Sequence, residues 1–249
     1  MFKKHVLDLE QLSMNAWPSL QTMLYDGWVL RFAEGVTRRS NSVNPIFGSS
    51  LDNEEKISFC ENLYKQKNLP TIFKLTSCVY PCDLDKILAR REYKQQAETS
   101  VQTCDLTKAV FETKPNIILN EKLEKDWVRS FVTLNEYETA KITIYHKILQ
   151  NIVPEAVYAS YRISNQIVGC GLGVRQGDHI GLFDIVVDKE HRGVGLGYYI
   201  VTALMQWGKT NGANTSYLQV MTNNEIALHL YDKLGFKEQY KYCYYNKVK

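Results

Sequence analysis

The sequence predicts an α/β (α+β) fold in which a mixed, mostly antiparallel sheet is flanked by helices, in two tandem halves. Three observations lead to this prediction. The chain has 249 residues, 45% of them hydrophobic and 23% charged, which suffices for a well-buried core. Segments in which apolar and polar residues alternate, as in a strand, are followed along the chain by segments whose apolar residues have helical spacing. The order hairpin–helix–strand–helix–strand occurs in both halves, although many folds show such alternation by chance.

The second half shows its elements most clearly. Ser164-Asn165 predicts a tight turn between two alternating segments, and Asn211-Gly212 is typical of a helix end. Asn223 or Asn224 can cap a further helix. The predicted order is strand 116–119, helices 121–135 and 140–150, strands 155–163, 166–174 and 179–187, helix 196–211, strand 216–221, helix 224–234, and one or two final strands within 236–246.

The first half begins with a predicted hairpin that is joined at Glu34-Gly35. The predicted elements are hairpin strands 28–33 and 37–47, helix 54–66, strand 71–76, helix 84–91 and strand 97–106. Because this series resembles the later one, we expect a degenerate first domain at 1–110. A second domain, which carries the candidate site, is expected at 111–249.

Composition and charge exclude several classes of protein. The net charge of +3 is small and dispersed, so no nucleic-acid partner is expected. No apolar run approaches about 18 residues, and no apolar stretch follows Lys3-Lys4, so neither a membrane span nor a signal peptide is predicted. The six cysteines lack the spacing of a zinc site, which favours reduced thiols in a cytoplasmic protein without a metal.

The candidate ligand site is the segment 185–197, which reads IVVDKEHRGVGLG. An apolar strand runs into a polar turn, then into a glycine-rich bend, then into an amphipathic helix. Such a bend aims backbone N–H groups at one point beside the positive end of the helix dipole, and it can bind phosphate oxygens. Glycine is needed because a Cβ atom would keep a pyrophosphate away from the backbone.

Other phosphate-binding motifs fit this segment less well. A nucleotide P-loop needs Gly-Lys-Ser/Thr, which is absent from the sequence, and a dinucleotide fingerprint needs a third glycine where Tyr198 stands. A glycine-rich helix start without a ligand is the remaining alternative. The second glycine cluster, 169–173, does not begin a helix, and it predicts a strand thinned for close backbone approach.

Two segments resemble the signatures of the GNAT (GCN5-related N-acetyltransferase) superfamily. Arg192 to Gly197 is similar to its pyrophosphate signature, Arg/Gln-x-x-Gly-x-Gly/Ala, and 224–236 is similar to its Asn…Ala-x-x-x-Tyr-x-x-x-Gly-Phe helix. Less specifically, 27–31 and 37–43 resemble the first domain of two-part bacterial GNAT proteins. Because 45–55 has no Arg-x-x-Gly-x-Gly, we expect one cofactor per chain and a first half that shapes the acceptor pocket.

The resemblance implies acetyl-CoA as the cofactor, with coenzyme A as the product, and direct attack of an acceptor amine on the thioester. It also implies an oxyanion stabilised by a backbone N–H of the strand that ends at Val187. The implied cofactor-binding residues are Ile185, Val186, Val187, Arg192, Gly193, Val194, Gly195, Leu196, Gly197, Asn224, Ala227 and Tyr231.

Two catalytic roles follow from the same resemblance. Tyr231 matches a tyrosine that often lies near the cofactor sulfur, so it is the candidate proton donor; core packing is its alternative role. An alkyl ammonium titrates near ~10.4, so the acceptor needs a base or a desolvated pocket. Asp184 is the first candidate for the base, and Glu136, Glu155 and a water chain are alternatives.

The acceptor itself is not identified by the sequence. A small-molecule amine and a protein amine, such as a ribosomal terminus, are both predicted partners. Arg31, Arg38, Arg39 and Asn41 could reach a carboxylated acceptor, with exposed hairpin charge as the favoured alternative. A non-catalytic acyl-CoA-binding sensor or scaffold is the alternative function, and a spare sheet edge could pair two chains into a homodimer.

Overall fold

The computed structural model describes residues 2–111 and 116–247. Within these residues the helices are α1 (Phe2–Ala16), α2 (Asn53–Gln66), α3 (Leu84–Arg90), α4 (Lys125–Leu134), α5 (Ile142–Gln150), α6 (Leu196–Thr210) and α7 (Glu225–Lys233). The strands are β1 (Gln21–Tyr25), β2 (Trp28–Phe32), β3 (Val43–Pro45), β4 (Ile72–Thr76), β5 (Tyr93–Asp105), β6 (Ile117–Asn120), β7 (Glu155–Ile163), β8 (Gln166–Gln176), β9 (His179–Val187), β10 (Thr215–Met221) and β11 (Lys237–Lys247).

The chain forms two compact units. Unit 1 contains 1–101, 221–223 and 239–249, and unit 2 contains 102–220 and 224–238. Neither unit is one continuous segment, because the last strand of the chain belongs mostly to unit 1. The domains expected at 1–110 and 111–249 are continuous segments, and that division stays a prediction.

The sheet of unit 1 runs in the order β1-β2-β3-β4-β11-β5. β3 and β4 are parallel neighbours, with Val43 opposite Phe73, whereas β11 is antiparallel to β4, with Tyr244 opposite Lys74. α1 and β1 were not predicted. β1 pairs with β2 across the two-residue Asp26-Gly27 turn, the turn that such a dipeptide favours.

The hairpin expected between 28–33 and 37–47 exists, but its second strand is only Val43–Pro45. The chain from 33 to 42 is a loop in which the side chain of Asn41 pairs with several backbone groups. Asn41 Oδ1 accepts hydrogen bonds from the backbone N–H groups of Ala33 (2.8 Å) and Gly35 (3.0 Å), and its Nδ2 donates to the carbonyl oxygen of Val36 (2.6 Å). In a strand these backbone groups would bond to an adjacent strand, but here they bond to the Asn41 side-chain amide. The predicted strand 37–47 is therefore wrong over its first six residues.

The sheet of unit 2 runs from the end of β5 through β10, β9, β8 and β7 to β6. α6 packs on β8, where the three glycines of one strand face leave room for it. A Cβ atom on Gly169 would lie 2.9 Å from Ile200 Cδ1, and one on Gly171 would lie 2.8 Å from Ile200 Cγ2. A Cβ on Gly173 would meet Leu204 at 3.2 Å. The prediction of a strand thinned for close backbone approach is therefore confirmed.

The last strand of each half does not pair with the inner strand that precedes it. β4, α3 and β5 follow one another in the first half, as β10, α7 and β11 do in the second. However, β4 pairs with β11, and β5 is the neighbour of β10. The predicted fold class, a mixed and mostly antiparallel sheet flanked by helices, is confirmed, but the exchange of last strands was not predicted.

Candidate functional site

The centre of the candidate site is the place where two parallel strands of unit 2 separate. β9 and β10 are paired from His179 opposite Thr215 to Leu182 opposite Leu218, and β9 then continues for five residues beyond its paired part. Asp184 has a φ of +53° in that continuation, where the register with β8 also shifts. Such a bulge bends a strand and re-aims its backbone groups. The separation therefore opens a slot between β9 and β10.

The bend after β9 is held by short-range contacts. Asp188 Oδ1 accepts hydrogen bonds from the backbone N–H of Glu190 (3.0 Å) and from His191 Nδ1 (2.9 Å), and this closes a 3₁₀ turn at Lys189–His191. Arg192 Nε donates to the carbonyl oxygen of Val187 at 3.0 Å. The bend is thus tied back to the end of β9 before the glycines begin.

The glycines of the bend adopt backbone conformations that other residues rarely adopt. Gly193 and Gly195 have φ values of +80° and +84°, and Gly195 is the N-cap residue of α6. A Cβ on Gly193 would meet no atom within 4 Å, so conformation and not crowding requires glycine there. Val194 between them is 66% exposed. The bend therefore presents bare backbone on the surface.

The electrostatics of the bend favour an anion. No side chain caps the N-terminus of α6, and its first turn contains no acidic residue. The first N–H groups of a helix have no partner within the helix and carry the positive end of its dipole. Together with the Arg192 guanidinium beside Val187, this arrangement suits phosphate oxygens.

The second signature lies on α7. Asn224 Oδ1 accepts a hydrogen bond from the backbone N–H of Ala227 at 3.2 Å, so Asn224 does cap the helix, as one reading of the sequence expected. A Cβ on Gly197 would lie 3.6 Å from Leu230 Cδ2, and therefore the start of α6 lies against α7. Both segments that resemble family signatures are brought together within unit 2.

Tyr231 is buried in the apolar core of unit 2, and its ring packs edge-on against Phe236 with 5.7 Å between ring centroids. Burial raises the pKa of Tyr231 to about 12, so the phenol stays protonated at neutral pH. Its hydroxyl has no hydrogen-bond partner among the described residues. The two roles considered for Tyr231 are therefore compatible: it packs in the core and keeps a proton to donate.

The three apolar residues at the end of β9 have different surroundings. Val186 is buried, whereas Ile185 and Val187 are half-buried and pack against the core cluster that contains Tyr231. Neighbouring side chains of a strand point to opposite faces. The side chains of 185–187 are therefore divided between the two faces of the sheet.

The candidate bases differ in their surroundings. Asp184 lies in the bulge near the buried thiol of Cys170, whose pKa is raised by burial and by the Asp184 carboxylate. Glu136 forms an ion pair with Lys189, which lowers the pKa of Glu136. Both positions are close to the end of β9 or to the bend that follows it.

Glu155, by contrast, is far from the bend. It pairs with Arg175 at 2.7 Å, and the hydrogen bond from Arg175 lowers its pKa. Arg175 stands opposite Ile180 in the sheet. At about 3.3 Å per residue, Ile180 is roughly 23 Å from Val187 along β9. Glu155 therefore belongs to the opposite end of the strand.

The four polar residues considered for a carboxylated acceptor have separate roles in unit 1. Arg31 is buried and donates hydrogen bonds to the carbonyl oxygens of Arg39 (2.8 Å) and Met14 (3.2 Å), and Asn41 holds the loop described above. Exposed hairpin charge is thus a wrong interpretation for Arg31 and Asn41. Arg38 is exposed, and Arg39 lies over the Trp17 ring at 4.4 Å.

Within 2–111 and 116–247 there is no group of three or more His, Cys, Asp or Glu side chains placed to hold a metal ion. In the same residues, none of the helices has both the length and the apolar character needed to cross a membrane.

Sequence comparisons match nearly the whole chain. Residues 5–245 match the family model described as "Probable histone acetyltransferase Rv0428c C-terminal". The chain is 29% identical over 232 residues to the "Uncharacterized N-acetyltransferase YobR" of Bacillus subtilis, covering 92% of this chain and 93% of that relative. It is also 38% identical over 61 residues to the "[Ribosomal protein bS18]-alanine N-acetyltransferase" of Salmonella typhimurium, covering 24% of this chain and 41% of that one.

Comparison with solved structures shows the same fold over nearly the whole chain. A GCN5-related N-acetyltransferase from Kribbella flavida superposes with a TM-score of 0.70 at 13% identity, covering 98% of this chain and 95% of the other. A tandem GNAT protein from the clavulanic acid biosynthesis pathway gives a TM-score of 0.64 at 11% identity, covering 96% and 86%. At these identities the likeness concerns the fold alone.

Proposed function

We propose that this chain, which belongs to the family of the Rv0428c C-terminal acetyltransferase domain and is a GNAT N-acetyltransferase, transfers acetyl from acetyl-CoA to a primary amine at the Val187 end of β9. The observation that carries this placement is the uncapped, glycine-rich start of α6 beside the slot between β9 and β10. The comparisons give no support to the alternative of a non-catalytic acyl-CoA sensor or scaffold.

The donor set of the site fits acetyl-CoA. In the proposal, the backbone N–H groups from Gly193 to Gly197 and the Arg192 guanidinium hold the phosphates, and the backbone of 185–187 holds the extended arm. Asn224 uses Oδ1 for its cap, so its Nδ2 hydrogens can contact the same arm beside Ala227. When bound, acetyl-CoA supplies an activated acyl carbon and a thiolate leaving group.

Two side chains handle protons in the proposed reaction. The Tyr231 hydroxyl is protonated at neutral pH because burial raises its pKa, and it is the proposed proton donor to the departing thiolate. Asp184 is retained as the proposed base, because it belongs to the part of β9 that continues beyond the pairing with β10. A backbone N–H near Val187 is the proposed donor to the oxyanion.

The acceptor is proposed as a primary amine on a small molecule or on a protein. Protein acceptors appear in the names of the matched family and of the bS18-alanine N-acetyltransferase. A cytoplasmic location, one cofactor per chain, and a homodimer paired through a spare sheet edge remain parts of the proposal. So does the division into domains 1–110 and 111–249.

The test is calorimetric titration of the full chain with acetyl-CoA, repeated with Gly195→Glu. The new carboxylate would stand at the anion position, and a residue with a Cβ is strained at the φ of +84°, so we expect binding to be lost. Gly177→Glu is the matched control because Gly177 also has a positive φ, +61°, and a Cβ there would meet no atom within 4 Å.

The expected pattern is binding to the parent and to Gly177→Glu, without binding to Gly195→Glu. If Gly195→Glu binds acetyl-CoA as the parent does, the bend does not hold the phosphates. Absence of binding to the parent would overturn the proposed function. An amine screen for thiol release, run on the parent, then identifies the acceptor.

A further inference from the structure

Unit 1 has a loop that corresponds in position to the bend of unit 2. The loop 46–52 leads from β3 into α2, and the next strand, β4, is the parallel neighbour of β3. In the same way, 188–195 leads from β9 into α6, and β10 is the parallel neighbour of β9. The two loops thus follow a strand, precede a helix and lie at the same point of their sheets.

An internal carboxylate fills the loop of unit 1. Asp26 accepts hydrogen bonds from the backbone N–H groups of Ser50 (3.0 Å) and Leu51 (2.9 Å), and from Ser50 Oγ (2.9 Å). Lys56 Nζ lies 3.0 Å from Asp26 Oδ2. These contacts hold the pKa of Asp26 well below its usual range, with the backbone N–H of Leu51 as the largest cause. A small oxyanion would use the same donors.

The buried cation beside this carboxylate requires an anion. The Lys56 side chain is 0% exposed, and its ammonium lies 4.1 Å from the centre of the Trp28 ring. A buried ammonium is costly without a counter-charge. The indole N–H of Trp28, also fully buried, has no hydrogen-bond partner in the described part of the chain. The Asp26 carboxylate, 3.0 Å away, supplies the counter-charge that the Lys56 ammonium needs.

The turn that carries Asp26 packs closely against the loop. Phe47 N–H donates to the carbonyl oxygen of Gly27 at 3.1 Å. A Cβ on Gly27 would lie 2.2 Å from the carbonyl oxygen of Gly48, so only glycine permits this approach. Asp52 in addition caps α2 by accepting from the N–H groups of Glu54 and Glu55. The N–H groups of Glu54 and Glu55 are therefore already paired at this helix start, whereas no side chain caps the start of α6.

We propose that the Asp26 carboxylate occupies the anion position of unit 1, which closes this half to phosphate ligands, and that its removal leaves a site for a small oxyanion such as inorganic phosphate. The inference depends on contacts within unit 1 and does not require unit 2 to be a transferase. It gives a physical reason for one cofactor per chain.

The test removes the carboxylate without disturbing the turn. Asp26 has a φ of +38°, a conformation that glycine adopts without strain, so Asp26→Gly is the first variant. Glu34→Gly is the matched control, because Glu34 is an exposed carboxylate at a φ of +51° in the same unit. All proteins also carry Gly195→Glu, so that phosphate binding at the bend of unit 2 does not contribute.

Two readouts are followed during titration with inorganic phosphate at constant ionic strength. Thermal unfolding of Asp26→Gly should begin roughly 5 to 10 °C lower than in its parent. About 50 mM phosphate should recover at least half of that loss, whereas equivalent chloride should not. The amide resonances of Ser50 and Leu51 should shift and saturate in Asp26→Gly but stay unchanged in the parent and in Glu34→Gly.

Three results would overturn the proposal. One is a saturable shift of the Ser50 and Leu51 amides in the parent, which would mean that the position is open. Another is a folded Asp26→Gly protein in which phosphate does not shift the amide resonances of Ser50 and Leu51. The third is equal recovery of stability by chloride and phosphate. If Asp26→Gly does not fold in either salt, the parent titration decides alone: unchanged amides support the proposal and shifting amides overturn it.

Discussion

The loop 46–52 of unit 1 and the bend 192–197 of unit 2 both lie between a strand and a helix. They differ in whether their backbone N–H groups are already paired with a group of the chain. In unit 1 the backbone donors of the loop are taken by Asp26, and the same unit holds a second buried ion pair, Glu10 with Lys74 at 2.6 Å. In unit 2 the helix start has no cap, and the strand beneath α6 is thinned by glycine.

This difference shows how one arrangement can be either a scaffold or a site. A polar group that is satisfied from within the chain stabilises the fold but has nothing left for a ligand. A helix start that stays open gives up that stabilisation and can bind an anion. The comparison therefore predicts that changes in unit 1 act mainly on stability, and that changes at the slot of unit 2 act mainly on turnover.

The largest expected effect is in unit 1. Glu10→Gln removes the charge that the buried Lys74 ammonium faces, and breaking such a pair costs about 3–5 kcal/mol of unfolding free energy. Burial already lowers the pKa of Lys74, and the variant lowers it further. Since the unfolded chain then binds more protons, stability should rise with pH until the lysine of the unfolded chain titrates near ~10.4.

Denaturant unfolding of Glu10→Gln across this pH range checks the prediction, with acetyl-CoA affinity of the folded protein as the second measurement. The affinity should equal that of the parent. If Glu10→Gln keeps the stability of the parent but loses affinity for acetyl-CoA, the conclusion that unit 1 acts mainly on stability is wrong.

The next effect concerns Tyr231. Tyr231→Phe keeps the ring against Phe236 and removes the proposed proton donor, so we expect kcat to fall about 100-fold with little change in the affinity for acetyl-CoA. Because the pKa of Tyr231 is about 12, ionisation of this residue should not reduce the parent's activity between neutral pH and about 10. Steady-state kinetics over that range measures both. Equal turnover of variant and parent would leave Tyr231 as a packing residue.

The smallest expected effect concerns the glycine face of β8. In Gly171→Val a Cβ would lie 2.6 Å from Ile185 Cδ1 and 2.8 Å from Ile200 Cγ2, and overpacking of this kind costs about 1–3 kcal/mol. Gly48→Ala is the control in unit 1, because a Cβ there meets nothing within 4 Å. The two midpoints of denaturant unfolding should differ accordingly. Equal midpoints would mean that α6 can move away from β8 without loss.

Part of this architecture is readable in the sequence because local rules determine it. β7 and β9 have the predicted bounds, and Asn224 begins α7 as a cap residue should. The Gly-rich bend is predictable because positive φ requires glycine at Gly193 and Gly195. The roles of Asp184 and Tyr231 stay predictions, since their chemistry depends on a ligand position that the sequence does not contain.

The sequence by itself determined the order of elements from β2 to β11, the glycine face of β8 and the two segments that resemble family signatures, because periodicity and glycine act over a few residues. Tertiary structure alone decided which strand pairs with β4, why 33–42 is a loop held by Asn41, and that Asp26 reaches the loop before α2. Some of these contacts join residues that are distant in sequence. In the others, a side chain takes the hydrogen bonds that an adjacent strand would otherwise make. Local sequence propensity does not predict such contacts, because they stabilise the chain only after it has folded.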